Sequence, residues 1–318
     1  MKKLLMITLG ILLLVGCSSS VDTPTDGKLK IVTTIFPITD LVERITGQEP
    51  TQLLPNSSVN AHTWEPSPQD IIALEEADVF VYNGAGMEEW VDDVLATIKN
   101  EKLVVIEASH DVTKIQGHHH DHDHDEDDHD DDEHDEDDHE HDHGEDDHGD
   151  VDPHTWSSPK TAKTQLQTIN DALIKAFPEK AETYKQNTEK NLKLFDELDQ
   201  KYMEKLSQLT NRYLVVQHEA YGYLAHDYDL HQIGIEGLVP TSEPDPSRMA
   251  EIIELVKEHE VKTIFFEENV SDKVATTLSE ETGTKTAVLN TLAFKNEHND
   301  DLIKMMETNL EVLLEGLK

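Results

Sequence analysis

The chain has 318 residues, with 67 Asp and Glu against 26 Lys and Arg, for a formal net charge of −41. That length permits two domains and a substantial core, while the charge excludes nucleic acid and anionic lipid headgroups as electrostatic partners, since both need a basic face. The only long apolar run is at the N-terminus, which excludes a multi-span membrane protein, and a single cysteine excludes an intramolecular disulfide or a Cys-rich zinc or iron–sulfur site.

Met1-Lys2-Lys3 is a positive n-region, and Leu4 to Val15 is a twelve-residue apolar run, short for a membrane span and right for an export signal. The run ends in Leu14-Val15-Gly16-Cys17, which resembles the lipobox of bacterial lipoproteins. The resemblance implies removal of residues 1–16, a diacylglyceryl thioether on Cys17, and a protein held at the outer face of the membrane by acyl chains. Residues 17–27, with Ser18-Ser19-Ser20 and Pro24, read as a flexible tether.

Residues 28–178 read as a first α/β lobe. The β-branched run Leu29–Thr34 predicts a strand, and Pro37–Gly47 a helix with proline near its start and glycine as its stop. Ser67-Pro68 is an N-cap followed by a first-turn proline, opening a helix through Ala77. Val79–Tyr82 and Leu103–Ile106 are short apolar runs, as in parallel strands covered on both faces, with a helix over Met87–Lys99 between them. This alternation is that of a mostly parallel sheet.

The acidic surplus is concentrated in residues 118–149, which contain only His, Asp, Glu and two Gly: 11 of the 19 histidines and 19 acids. A segment with no apolar residue has nothing to bury against the entropy of ordering, so a disordered loop is expected. Imidazoles interspersed with carboxylates suit borderline divalent ions. His118, His119, His120, His122, His124, His129, His134, His139, His141, His143 and His148 are therefore expected to form weak, poorly selective zinc sites.

Ser158–Ala176 reads as a helix that Pro178 interrupts. Leu192, Phe195, Leu198, Tyr202, Leu206 and Leu209 then recur at spacings of three and four, so residues 179–210 form one long helix of about 45 Å at 1.5 Å per residue, a spine joining two lobes. Residues 211–318 give the second lobe: strand Tyr213–Gln217, a helix from Asp245-Pro246 to Glu258, strand Thr263–Phe266, helix Ser271–Thr282, strand Thr286–Leu289 and helix Asp300–Leu317. The fold class is thus α/β, with two lobes of mostly parallel sheet joined by a single rigid helix and a ligand site in the cleft between them.

Eight histidines lie outside the acidic segment. Three of these sit in loops rich in turn and aromatic residues: His62 in Asn60-Ala61-His62-Thr63-Trp64-Glu65-Pro66-Ser67-Pro68, His154 in Asp152-Pro153-His154-Thr155-Trp156-Ser157-Ser158-Pro159, and His218 directly after a strand. Three imidazoles can hold Zn²⁺ tetrahedrally with one position left; solvated loop histidines would show the same spacing. His110, His226, His231, His259 and His298 read as ordinary surface histidines.

His62-Thr-Trp-Glu-Pro-Ser-Pro, Asp152-Pro-His-Thr-Trp-Ser-Ser-Pro and Gln217-His-Glu-Ala-Tyr-Gly-Tyr-Leu resemble the signature segments of zinc-binding, lipid-anchored solute-binding proteins of ABC importers. Ser242-Glu243-Pro244, Ile264 to Glu267, Val288-Leu289-Asn290 and Met305 to Leu310 extend the resemblance from Lys28 to the C-terminus. It implies that His62, His154 and His218 are the ligands of a tight site, with a histidine where manganese carriers have a carboxylate; nitrogen favours Zn²⁺. It also implies that Glu267 accepts a hydrogen bond from an imidazole and fixes its tautomer. Several zinc relatives have a Glu where this chain has Ala293, which leaves water, Glu297 or a residue of the acidic segment for the fourth position.

The function implied is capture of Zn²⁺ as transported ligand, and its delivery to an ABC permease by a monomeric lipoprotein on the extracytoplasmic face of the membrane. Binding should weaken below about pH 6, where imidazolium cannot ligate. A zinc buffer or surface adhesin is the alternative. A zinc hydrolase is the remote one: no His-Glu-x-x-His motif or paired general base is present, so no enzyme is expected.

Overall fold

Successive strand residues face opposite sides of a sheet, and here that alternation sorts the apolar residues into three cores. The computed structural model describes residues 27–54, 59–117, 151–240, 244–268 and 271–318; the expected signal, Cys17 and the eleven histidines of 118–149 lie outside them. The first parallel sheet has the order β2-β1-β3-β4, with β1 Ile31–Thr33, β2 Thr51–Gln52, β3 Val79–Tyr82 and β4 Val104–Glu107. The second repeats that order as β6-β5-β7-β8, with β5 Tyr213–His218, β6 His231–Glu236, β7 Thr263–Phe266 and β8 Lys285–Val288. Ile31, Val79 and Val81 face a central core, and so do Leu214, Val216 and Phe265 of the second sheet. The alternate residues Val32 and Phe80 face an outer core of the first lobe, and Val215 and Ile264 an outer core of the second.

The central core is shared between the lobes. It holds helices α1 (Phe36–Thr46), α4 (Pro159–Ala176), α5 (Ala181–Leu206) and α9 (Leu302–Gly316). Phe195, Leu198, Tyr202 and Leu206 of α5 are buried in it, and the Tyr202 hydroxyl donates to the Met306 carbonyl at 2.6 Å. At 1.5 Å per residue its 26 residues span about 39 Å. The break at Pro178 is a single 3₁₀ turn over Pro178–Lys180. Direct bonds also join the lobes: Phe36 N–H donates to the Ala293 carbonyl at 3.3 Å and the Trp156 indole N–H to the Thr291 carbonyl at 2.9 Å. Arg44 pairs with Asp40 and, at 3.2 Å, with Asp301 at the start of α9.

Caps place the helices beside the cleft. Ser67 and Asp70 form a capping box on α2 (Pro68–Glu75), Ser158 caps α4, and Asp245 accepts from the backbone of Ser247 and Arg248 at the start of α7 (Pro246–Glu258). Gly47 ends α1 in the left-handed region with φ 67°. Helix α8 runs from Lys273 to Thr282. Among the described residues no helix is long and apolar enough to cross a membrane.

The elements depart from the sequence expectation in four places. The helix expected over Met87–Lys99 is only α3, Val91–Leu95. The chain ahead of it passes Gly84, Ala85 and Gly86, all with positive φ, and turns Glu88 inward to accept from Thr34 Oγ1 and the backbone of Asn83 and Gly84. Of the two strands read as covered on both faces, β4 is an edge strand, with Val105 42% exposed. Strand β2 is too short to leave a pattern. Finally, helix α6 (Gly222–Tyr228) and β6 fill the stretch after His218, where no element was expected. β6 carries Gly234 in its interior, paired with Val216, where a Cβ would lie 2.0 Å from Glu219 Cγ.

Candidate metal centre

In parallel sheets of this order, ligands meet the carboxyl ends of the strands where the order reverses, here between β1 and β3 and between β5 and β7. His218 is the last residue of β5, and Glu267 follows the last residue of β7. His62 is in the turn before α2 and His154 in the loop before α4; an antiparallel bridge between Gln116 and Val151 fixes where that loop re-joins the fold.

The three rings meet edge to face, with centroids 4.8–5.3 Å apart. Their ligand atoms all lie within 4.8 Å of one another, the one such group of His, Cys, Asp or Glu among the described residues. His62 Nε2 and His154 Nε2 are 3.2 Å apart. Tetrahedral Zn²⁺ with bonds of about 2.0–2.1 Å needs neighbouring nitrogens about 3.3–3.4 Å apart, so this pair is already close to a ligand edge. His154 is 1% exposed and His218 5%; His62 is half-buried and forms the solvent side.

Carboxylates orient two of the rings. Asp152 Oδ1 accepts from both the backbone N–H and Nδ1 of His154 at 2.8 Å, leaving the Nε2 lone pair facing His62. Asp152 fits because residue 222 is glycine: a Cβ there would lie 2.1 Å from Asp152 Oδ2. On the other lobe Glu267 Oε1 accepts from His218 Nδ1 at 2.7 Å, where the family resemblance placed it. His218 Nε2 donates to the Leu238 carbonyl at 2.9 Å. His62 is held by its backbone, whose N–H donates to Asn60 Oδ1 at 2.9 Å.

Burial and the two other imidazoles pull the His62 pKa down to about 2. Burial also lowers that of His154, outweighing the Asp152 carboxylate. Burial alone would lower His218 as well, but the Glu267 carboxylate, the Leu238 carbonyl and the charge of Glu236 together raise it. Two rings are thus kept neutral, the form that ligates, while the third is held by acceptors on both nitrogens.

The remaining candidates lie elsewhere. Glu297 is on the surface, 3.7 Å from His298, and is no part of the group. Ala293 is buried at the lobe contact. His226 and His298 are exposed, His110 is exposed, and His231 and His259 lie against the Tyr213 ring. Sequence reading missed Asp152, although Asp-Pro-His puts it two residues before a ligand candidate, and missed Asn60 and Gly222, whose roles need the folded contacts to be seen.

A two-lobed α/β binding protein with a three-imidazole centre between its lobes is the class that this fold and site define. The family model described as ZnuA, zinc-uptake complex component A, periplasmic, matches residues 31–316, and the chain belongs to that family. It is 35% identical over 316 residues to the high-affinity zinc uptake system protein ZnuA of Bacillus subtilis, covering 96% of this chain and 94% of that protein. It is 36% identical over 293 residues to the zinc-binding protein AdcA of Streptococcus pyogenes, covering 91% of this chain but only 56% of that longer protein. The crystal structure of the Zn(II)-bound ZnuA-like domain of Streptococcus pneumoniae AdcA superimposes with a TM-score of 0.73 at 34% identity, covering 92% of this chain and 99% of that one.

Proposed function

We propose that the chain is an extracytoplasmic solute-binding protein that takes up Zn²⁺ between its lobes and passes it to the permease of an ABC importer. The observation that carries this is the convergence of His62, His154 and His218 from three separate segments, with the His62 and His154 nitrogens 3.2 Å apart. Each ring would ligate through Nε2, since Nδ1 of His154 and of His218 is taken by a carboxylate. Three imidazole ligands, His218 giving up its Nε2 proton as metal binds, favour zinc over oxygen-seeking cations, and family membership supports zinc as cargo and a carrier in place of an enzyme. Cys17 anchors the monomer to the membrane, and the histidines of 118–149 form a weak outer store of zinc.

Calorimetric titration of the full-length chain from Cys17 onward tests the site. Losing an orienting partner alone lowers metal affinity about 10- to 100-fold, so His62→Ala should lower it by about 100-fold or more. Full tight binding in that variant would defeat the assignment. Deleting 118–149 should remove weak sites and spare the tight one. Growth under zinc chelation, restored by the protein only when the permease is present, separates import from buffering or adhesion.

A further inference from the structure

We propose that Asn83 is a positioning residue of the metal centre, which clamps the backbone on both sides of His154 and sets zinc affinity through that ligand alone. The inference rests on the zinc reading above and adds to it the residue that ties a loop-borne ligand to the sheet.

Asn83 directly follows the last residue of β3, at the carboxyl end of an inner strand. Its own backbone is held on both sides. The N–H donates to Glu88 Oε1 at 2.9 Å, and the carbonyl accepts from the Ser109 N–H, beyond β4, at 3.0 Å. The side chain is buried, and its amide is fully used. Nδ2 donates to the carbonyls of Gly84 and Pro153, both at 2.9 Å. Oδ1 accepts from Thr155 Oγ1 at 2.8 Å and from Gln165 Nε2 at 2.9 Å. Two donated and two accepted bonds are all that a carboxamide offers. Gln165, from α4, also donates to Thr155 Oγ1 at 3.0 Å and closes the network.

Pro153 and Thr155 are the chain neighbours of His154, so one amide at a strand end grips the ligand's backbone before and after it. Asp152 turns the ring through Nδ1, whereas Asn83 decides where the ring stands. Away from water such bonds are stronger, and a group left without its partner costs more. The pattern is also particular to asparagine among side chains of this shape. Aspartate has no N–H for the two carbonyls, and leucine has neither a donor nor an acceptor. His62 has no such brace from the sheet, since its backbone rests on Asn60. Asn83 therefore gives the first lobe one ligand whose place is fixed by a strand it does not belong to.

A double-mutant cycle tests the inference on the full chain from Cys17 onward, with zinc chloride titrated against a chelating dye. Asn83→Asp keeps the shape and both accepted bonds and turns a carboxylate towards the Pro153 and Gly84 carbonyls. It should lower zinc affinity about 10- to 100-fold, as loss of a residue that orients a ligand does. In a His154→Ala background the same change should alter the remaining affinity less than about twofold, because coupled sites do not add. Thr155→Val, which keeps the shape and removes one of the four bonds, carries the same cycle with a loss of about 3- to 10-fold, and decides the matter should Asn83→Asp fail to fold. Val256→Ala, in the outer core of the second lobe, should lower the melting temperature and leave affinity unchanged. Equal losses with and without His154, or no loss in the wild-type background, would overturn the inference and leave Asn83 as part of the fold only. If wild type holds zinc tightly in a His62-dependent way, that failure touches Asn83 alone. If wild type shows no such binding, the zinc reading fails and this one with it.

Discussion

The two sheets have the same strand order and yet furnish the site in different ways. The second lobe presents His218 from the end of a central strand, with Glu267 from the end of its neighbour. The first lobe presents its two histidines from loops, one locked by Asp152 and Gly222, the other resting on Asn60 alone. A strand end fixes a side chain through the sheet ladder, whereas a loop needs bonds of its own. The comparison teaches that equal topology does not give equal rigidity: the site has a fixed wall and an adjustable one.

The comparison would break most plainly if the lobes were energetically separate. Phe195 is fully buried in the core they share, so Phe195→Ala should destabilise the protein by about 3–5 kcal/mol and shift one common melting transition. Two transitions, only one of them moved, would show that each lobe melts alone.

Each lobe holds a buried acid whose pKa burial raises to about 7, Glu88 in the first and Glu219, beside a ligand candidate, in the second; Glu88 can be tested apart from the site. Burial outweighs the hydrogen bonds to Glu88 from Thr34, Asn83 and Gly84 and pushes its pKa from 4.5 up to about 7. Between those values the folded chain holds a proton that the unfolded chain has lost. This contribution is therefore full below about pH 4.5 and is lost as pH rises through 7, amounting to roughly 3 kcal/mol at most. Denaturant titrations from pH 4.5 to 8 should show that fall in wild type and a flatter profile in Glu88→Gln.

The finest test sets the two orienting carboxylates against each other. Asp152→Asn and Glu267→Gln should each lower zinc affinity about 10- to 100-fold, the loop-borne pair more than the strand-borne one, as read by competition with a chelator. Equal losses would mean that the sheet adds nothing to the orientation of His218.

Much of this was legible in the sequence because the signals were local. Ser67-Pro68 and Ser158-Pro159 announced two helix starts, the spacing from Leu192 to Leu206 announced the spine, and the unbroken apolar run Val79–Tyr82 a covered strand. Two ligand candidates, His62 and His154, stood out by a recurring His-x-Trp loop motif, and His218 by its place at the end of a strand. What stayed hidden depends on contacts between distant residues. The inward turn of Glu88 that shortens α3 is fixed by Thr34, 54 positions away, and the fit of Asp152 depends on a missing side chain at Gly222. No periodicity records either. β6 was missed because its register comes from pairing with β5, not from a strong pattern of its own.

The His-x-Trp repeat has a consequence of its own. Trp64 and Trp156 each follow a site histidine by two residues, and the Trp156 ring lies 5.5 Å from that of His154 while its indole N–H bonds to Thr291 on the opposite lobe. Trp156 thus sits at the seam of the cleft, whereas Trp64 packs edge to face on Trp90 with ring centroids 5.7 Å apart. The protein carries its own optical gauge: emission from Trp156 reports the seam between the lobes, and arrival of an ion beside His154 can be watched without attaching a dye.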